Sequence, residues 1–166
     1  MSPSGINRTV LHIDDDPDFT RLVAHKLTRL GHHVDSLNDS TKAMGEIMRK
    51  GYRVVLLDID MPGLNGISLL RRIKEYDGGI LVIMLSGWVT LSSAMSTFRR
   101  GAEACYLKPI EDFQEIADSI DAAFRKIEHW WAALHLLTRQ RREAAAAAAL
   151  ESHELAHALA VATDTL

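Results

Sequence analysis

Apolar runs and apolar positions at 3-and-4 spacing alternate along the first two thirds of the chain. Thr9-Val10-Leu11-His12-Ile13 reads as a strand, and Asp16-Pro17 behind it as a helix N-cap and first helical position. Phe19, Leu22, Val23, Leu27 and Leu30 then recur at helical spacing until Gly31 stops the helix. A weaker strand follows at 33–37, and then a helix from Asp39 whose apolar face is Ala43, Met44, Ile47 and Met48, closed by Gly51. Val54-Val55-Leu56-Leu57 predicts a buried strand, Leu69, Leu70 and Ile73 a third helix, and Gly78-Gly79 a turn. The continuous apolar run 80–85 predicts a strand covered on both faces. Leu91, Ala94, Met95 and Phe98 mark a fourth helix ending at Gly101, and 104–107 a fifth short strand. Five strands alternating with helices imply βαβ units joined by right-handed crossovers. The expected fold class is therefore α/β, a doubly wound five-stranded parallel sheet flanked by helices.

The last third obeys a different rule. All 10 glycines and 4 prolines lie at or before Pro109, so 110–166 contains no breaker. There Phe113, Ile116, Ile120, Ala123, Ile127, Trp130, Leu134 and Leu137 keep 3-and-4 spacing, which predicts one long helix. Up to Phe124 this stripe can cover the α/β core. Beyond it, Ile127, Trp130, Trp131, Leu134 and Leu137 have no such surface left and are expected to pair with a second copy along a short heptad seam that decays at Arg141. From Gln140 the segment is Ala-rich and helix-favouring, either packing back as a helical hairpin or continuing loosely. Arg139, Arg141 and Arg142 read as a solvated face. Some 40 residues of unbroken helix are too few for a winged or helix-turn-helix module, so no direct DNA binding is expected.

Composition narrows the function classes. A chain of 166 residues fits one domain with something appended, and 47% hydrophobic with 25% charged residues is ordinary globular composition. With 19 Lys and Arg against 22 Asp and Glu, the net charge of -3 offers no general field for nucleic acid or an anionic membrane. Cys105 is the sole cysteine, residues 1–8 lack both a basic and an apolar signal region, and the longest apolar runs, 80–85 and 144–150, are too short to span a bilayer. A cytoplasmic protein without membrane contact is expected.

In an open parallel sheet the ligand crevice lies beyond the carboxyl ends of the strands. Four of the candidate strands empty there into polar residues: Asp14-Asp15-Asp16, Asp58-Ile59-Asp60, Ser86-Gly87 and Lys108-Pro109. Clustered carboxylates repel one another unless a hard cation such as Mg2+ relieves them through oxygen ligands. A lysine and a hydroxyl opposite would complement a phosphoryl group, and a central aspartate can form an acyl phosphate.

This arrangement resembles the receiver domain of two-component response regulators. The segments that carry the resemblance are Val10-Leu11-His12-Ile13-Asp14-Asp15-Asp16-Pro17, Leu56-Leu57-Asp58-Ile59-Asp60-Met61-Pro62-Gly63-Leu64-Asn65-Gly66, Met84-Leu85-Ser86-Gly87 and Tyr106-Leu107-Lys108-Pro109. The resemblance covers about Arg8 to Lys126. It implies strand order 2-1-3-4-5 and often a cis Lys108-Pro109 bond. It also implies Asp58 as phosphoacceptor, Asp14 and Asp15 as the acid pair that holds Mg2+ with Asp58 and the Asp60 carbonyl, Ser86 and Lys108 on the phosphoryl oxygens, and Tyr106 as a switch with Ser86. The implied partner is a histidine kinase or phosphotransfer protein, and the implied protein is a phosphoacceptor, not a turnover enzyme. On this basis a receiver is expected over residues 1–126 and a helical extension, for dimerisation or as a signalling linker, over 127–166.

The same residues allow other readings. Asp58-Ile59-Asp60 also fits the D-x-D of a metal-dependent haloacid dehalogenase-like phosphatase, whose nucleophile usually follows the first strand rather than the third. His153-Glu154-Leu155-Ala156-His157 spells the H-E-x-x-H of zinc proteases without a third ligand or a protease body, so an incidental helix surface is the expectation. The same stretch also looks like the start of a histidine-kinase H-box, as in the front part of a longer hybrid signalling protein. Trp88, two positions after Ser86, is either a packing residue or a ring over the site.

Overall fold

A computed structural model describes residues 5–87 and 91–163, with the side chains of 91–94 and 154–163 excepted. In chain order the elements are β1 (Val10–Ile13), α1 (Pro17–Arg29), β2 (Val34–Leu37), α2 (Ala43–Lys50), β3 (Val54–Asp58), α3 (Gly66–Tyr76), β4 (Leu81–Ser86), α4 (Leu91–Arg99), β5 (Ala104–Leu107) and α5 (Phe113–Thr163). All strand pairs are parallel and the sheet order is β2-β1-β3-β4-β5. The three central strands are buried along their whole length, as continuous Val, Ile and Leu runs require when helices cover both faces. β2 and β5, at the edges, are only half-buried.

Local chemistry sets the helix ends. The Asp16 carboxylate accepts hydrogen bonds from the amides of Asp18 at 2.9 Å and Phe19 at 3.1 Å, which starts α1. Asp39 caps a 3-10 turn over Ser40–Lys42 instead of α2 itself, its carboxylate accepting from the Thr41 amide at 3.0 Å, so α2 begins three residues later than the pattern predicts. Gly51 closes α2 at a φ of 66°, a left-handed conformation that glycine adopts without strain.

The buried stripes are narrower than the apolar ones. Val23 and Leu27 of α1 and Ala43 and Ile47 of α2 are fully buried, whereas Leu22, Leu30, Met48, Met95 and Phe98 are exposed. Those residues sit at the margins of their helical faces, where the turn carries the side chain past the sheet.

The contacts group into two compact units, the first reaching Glu128 and the second starting at His129. Within the first, the Arg8 guanidinium lies 4.6 Å from the centroid of the buried Phe124 ring and pairs with Glu128 and with Asp121 at 3.8 Å. Ile127, expected on the pairing seam, is 2% exposed and belongs to this core; the α/β layer reaches one helical turn further along α5 than the stripe suggested. The second unit is helical throughout its described length, so the hairpin alternative is not realised. Its Trp130, Leu134, Leu136 and Leu137 are exposed, and the Trp131 ring stands 5.9 Å from that of His135. Among the described residues no helix is long and apolar enough to cross a membrane.

Candidate functional site

Parallel register brings the polar strand ends to one rim. Ile13 lies opposite Leu57, Asp58 opposite Leu85 and Ser86 opposite Leu107, so Asp14, Asp58, Ser86 and Lys108 emerge side by side. Asp14, Asp58 and Ser86 are buried, while Asp15 and Asp60 are exposed. Asp14 and Lys108, 94 positions apart, meet directly.

Lys108 supplies the counter-charge. Its Nζ donates a hydrogen bond to Asp14 Oδ2 at 2.7 Å and stands 2.7 Å from Asp58 Oδ1 as an ion pair lacking hydrogen-bond alignment. Burial tends to lower the lysine pKa, but the two carboxylates outweigh it and leave it raised, so the ammonium stays charged. Burial pushes the Asp14 carboxyl up, and the nearby His12 imidazole, the Lys108 ammonium and the Asp16 amide, which donates to Asp14 Oδ1 at 3.0 Å, bring it below the usual carboxylate value. Asp58 shifts the other way. Burial dominates there, only partly opposed by Lys108, and its pKa is raised. One acid is thus held firmly ionised beside another whose charge is poorly solvated.

The donor set fits a hard divalent cation. Carboxylate oxygens of Asp14, Asp15 and Asp58 lie within 4.8 Å of one another, a set of hard oxygen donors of the kind such a cation takes. The Asp60 carboxylate is directed elsewhere: its Oδ2 accepts a hydrogen bond from Ser86 Oγ at 3.1 Å. Tyr106 sits against α5, its hydroxyl donating to the Glu115 carbonyl at 3.0 Å and lying 2.6 Å from Ser119 Oγ. The Lys108-Pro109 peptide is cis. Trp88 lies outside the described residues, as do the side chains of Glu154 and His157.

Two neighbours of the site escaped the sequence reading. His12, fully buried in β1, places Nε2 3.7 Å from Asp14 Oδ2, and neither ring nitrogen has a hydrogen-bond partner among the described residues. Burial lowers its pKa, which keeps the imidazole neutral. A histidine inside an otherwise apolar strand was the sequence signal for it. Phe19 places its ring under Lys108, with Nζ 4.3 Å from the centroid, and helical spacing alone marked it only as a core residue.

Comparison with known proteins gives one consistent answer. The family model of the response regulator receiver domain matches residues 10–121. The transcriptional regulatory protein CpxR homolog of Haemophilus influenzae is 32% identical over 117 residues, 70% of this chain and 50% of the relative. The C4-dicarboxylate transport transcriptional regulatory protein DctD of Pseudomonas aeruginosa is 31% identical over 74% of this chain and 26% of its own length. The chain thus spans about half or less of these relatives. Among solved structures, a response regulator receiver domain protein from Clostridium thermocellum superposes with a TM-score of 0.70 at 26% identity, covering 75% of this chain and 99% of that one. The beryllofluoride-activated NtrC4 receiver domain dimer gives 0.68 at 26% identity, covering 73% and 99%.

Proposed function

This chain belongs to the response regulator receiver domain family, and from that premise we propose that Asp58 accepts a phosphoryl group from the phosphohistidine of a partner kinase or phosphotransfer protein. The observation that carries this is the buried, poorly solvated Asp58 carboxylate at the end of the central strand, with Lys108 2.7 Å away. A carboxylate oxygen of Asp58 attacks phosphorus as the P–N bond breaks, and the electron pair returns to the imidazole of the donor. Lys108 exchanges its contact with Asp58 for one with a phosphoryl oxygen while keeping Asp14. The Ser86 hydroxyl leaves Asp60 for another, and Tyr106 responds by moving inward from its bonds to Glu115 and Ser119. Asp14, Asp15 and Asp58, with the Asp60 carbonyl, would hold Mg2+, which supplies charge neutralisation on the transferring oxygens. An open cleft beside Lys108, lined by Phe19, Leu22, Pro109, Ile110 and Phe113, suits the apolar face of a helix presenting the phosphohistidine.

Incubation with a small acyl phosphate and Mg2+ tests the reading. A single added phosphoryl mass on Asp58 supports it. Turnover of many phosphoesters would instead mean a phosphatase, and no reaction would reject both. Asp15→Asn removes one exposed ligand charge while leaving the buried pair intact, so it is expected to weaken Mg2+ binding about tenfold or more with little change in thermal stability. Titration calorimetry measures this, and an unchanged affinity would exclude Asp15 from the metal site.

The helical segment after Glu128 is proposed as a homodimer contact. Two tryptophans with Leu134 and Leu137 form an apolar surface on a single helix, a surface that pairing with a second copy would cover. The structural neighbour NtrC4 receiver domain was itself solved as a dimer. Phosphorylation would then act by changing the geometry between paired receivers. Light scattering on the full chain at tens of micromolar is expected to give a dimer mass, shifted to monomer by Trp131→Glu with Leu134→Glu. A monomer mass for the parent chain would reject the contact.

A further inference from the structure

The ring of Phe19 lies where the polar groups of the site converge, yet the chemistry above assigns it no part. It projects from the first turns of α1 so that Lys108 Nζ is 4.3 Å from its centroid. The His12 ring makes an edge contact with it at 5.8 Å, the planes inclined at 70°. Among the described residues the ammonium pairs with two carboxylates, Asp14 Oδ2 and Asp58 Oδ1, each at 2.7 Å. One of these must change during phosphoryl transfer, because an Asp58 oxygen forms the new O–P bond. Asp14 keeps its charge through that event, but one carboxylate fixes an ammonium on a flexible four-carbon stem from one side only, and a second contact that the transfer leaves unaltered would hold it from another. An aromatic face meets the need: it attracts a cation through its quadrupole, and it neither titrates nor exchanges ligands. The geometry is that of a cation over a ring face, at a separation well inside the range where the attraction is appreciable.

We propose that Phe19 is a positioning residue for Lys108, its ring face holding the ammonium beside the Asp14 and Asp58 carboxylates while the charge on Asp58 changes, with the His12 ring packed against it. This rests on the reading of Asp58 as phosphoacceptor and of Lys108 as the cation that follows the phosphoryl group. A residue that served packing alone would be replaceable by leucine, which fills much of the same space without a quadrupole.

The test is labelling of the full chain by a small acyl phosphate with saturating Mg2+, followed by mass spectrometry, for the parent, Phe19→Leu, Phe19→Tyr, Lys108→Ala and the Phe19→Leu, Lys108→Ala double variant. Phe19→Leu is expected to slow labelling of Asp58 about three- to tenfold, and Phe19→Tyr to restore it to within about twofold, because the ring face returns. In the Lys108→Ala background Phe19→Leu is expected to have no further effect, since the group it positions is gone. Thermal unfolding of every variant separates a damaged fold from a misplaced ammonium, and Phe19→Met serves with the same expectations if the leucine variant does not fold. Equal slowing by Phe19→Leu with and without Lys108 would mean that the ring acts through packing, and would overturn the proposal. Equal rates for Phe19→Leu and a labelled parent chain would overturn it alone. A parent chain that takes no label on Asp58 would overturn the reading of the site and this proposal with it.

Discussion

Asp58→Asn is expected to abolish labelling while leaving the fold intact. An amide cannot form the acyl phosphate, and no other carboxylate of the rim is placed as Asp58 is: Asp14 is committed to Lys108 and the Asp16 amide, and Asp15 and Asp60 are exposed. The loss should therefore be complete, with mass spectrometry after acyl phosphate and Mg2+ finding no residual label on another acid. Label appearing on Asp14, Asp15 or Asp60 at a comparable rate would sink the assignment. Stability should move in the opposite direction to activity. Burial raises the Asp58 pKa in the folded chain. The folded state therefore binds that proton more tightly than the unfolded state, and stability falls as pH rises through the interval between the two values. At neutral pH, without metal, the ionised side chain is a burden on the fold that asparagine lacks. The variant is expected to melt at or above the temperature of the parent, and a clear drop would show that the carboxylate is instead held favourably by Lys108.

Gly66→Ala is expected to be among the most damaging single substitutions in the chain, although it alters no chemical group. Gly66 opens α3 directly behind the acceptor loop, its amide bonded to the Ile59 carbonyl at 3.0 Å. A Cβ there would stand 1.9 Å from the Asp58 carbonyl oxygen and 2.8 Å from the Ile59 Cα, both backbone atoms of the acceptor strand end. Neither can yield by a rotamer change, so α3 or the Asp58 loop must shift. A cost of about 3 kcal/mol or more is expected, at the upper end of overpacking effects. That corresponds to a melting temperature lower by roughly 10 °C, together with slowed labelling from a displaced Asp58. Gly45→Ala is the control. Gly45 lies on the outer side of α2 with a right-handed backbone, and a methyl group added there would meet nothing within 4 Å, so alanine should stabilise by up to about 1 kcal/mol. Equal melting temperatures for the two variants would reject the close approach at Gly66.

Much of this protein follows from one-dimensional pattern. Period-2 and period-3.6 signals separate strands from helices because each side chain's direction is dictated locally by the backbone, and Asp16, Gly31 and Gly51 mark helix ends by satisfying or redirecting nearby backbone groups. An uninterrupted apolar run such as 80–85 must be covered on both faces, which makes the sheet parallel and sends Asp14, Asp58, Ser86 and Lys108 to a common rim. What pattern could not supply is the partnership at that rim. The acids looked uncompensated in sequence, and only register across β1, β3, β4 and β5 sets Lys108 against Asp14 and Asp58 and puts Ser86 on Asp60. Nor does spacing say how far a buried stripe extends: Leu22, Met48 and Phe98 share their helical faces with buried residues yet are exposed, while Ile127 is enclosed. Spacing tells which way a side chain points around its own helix. What it meets there, whether sheet, ammonium or water, is decided by residues tens of positions away, whose distance in space is fixed only when the layers pack.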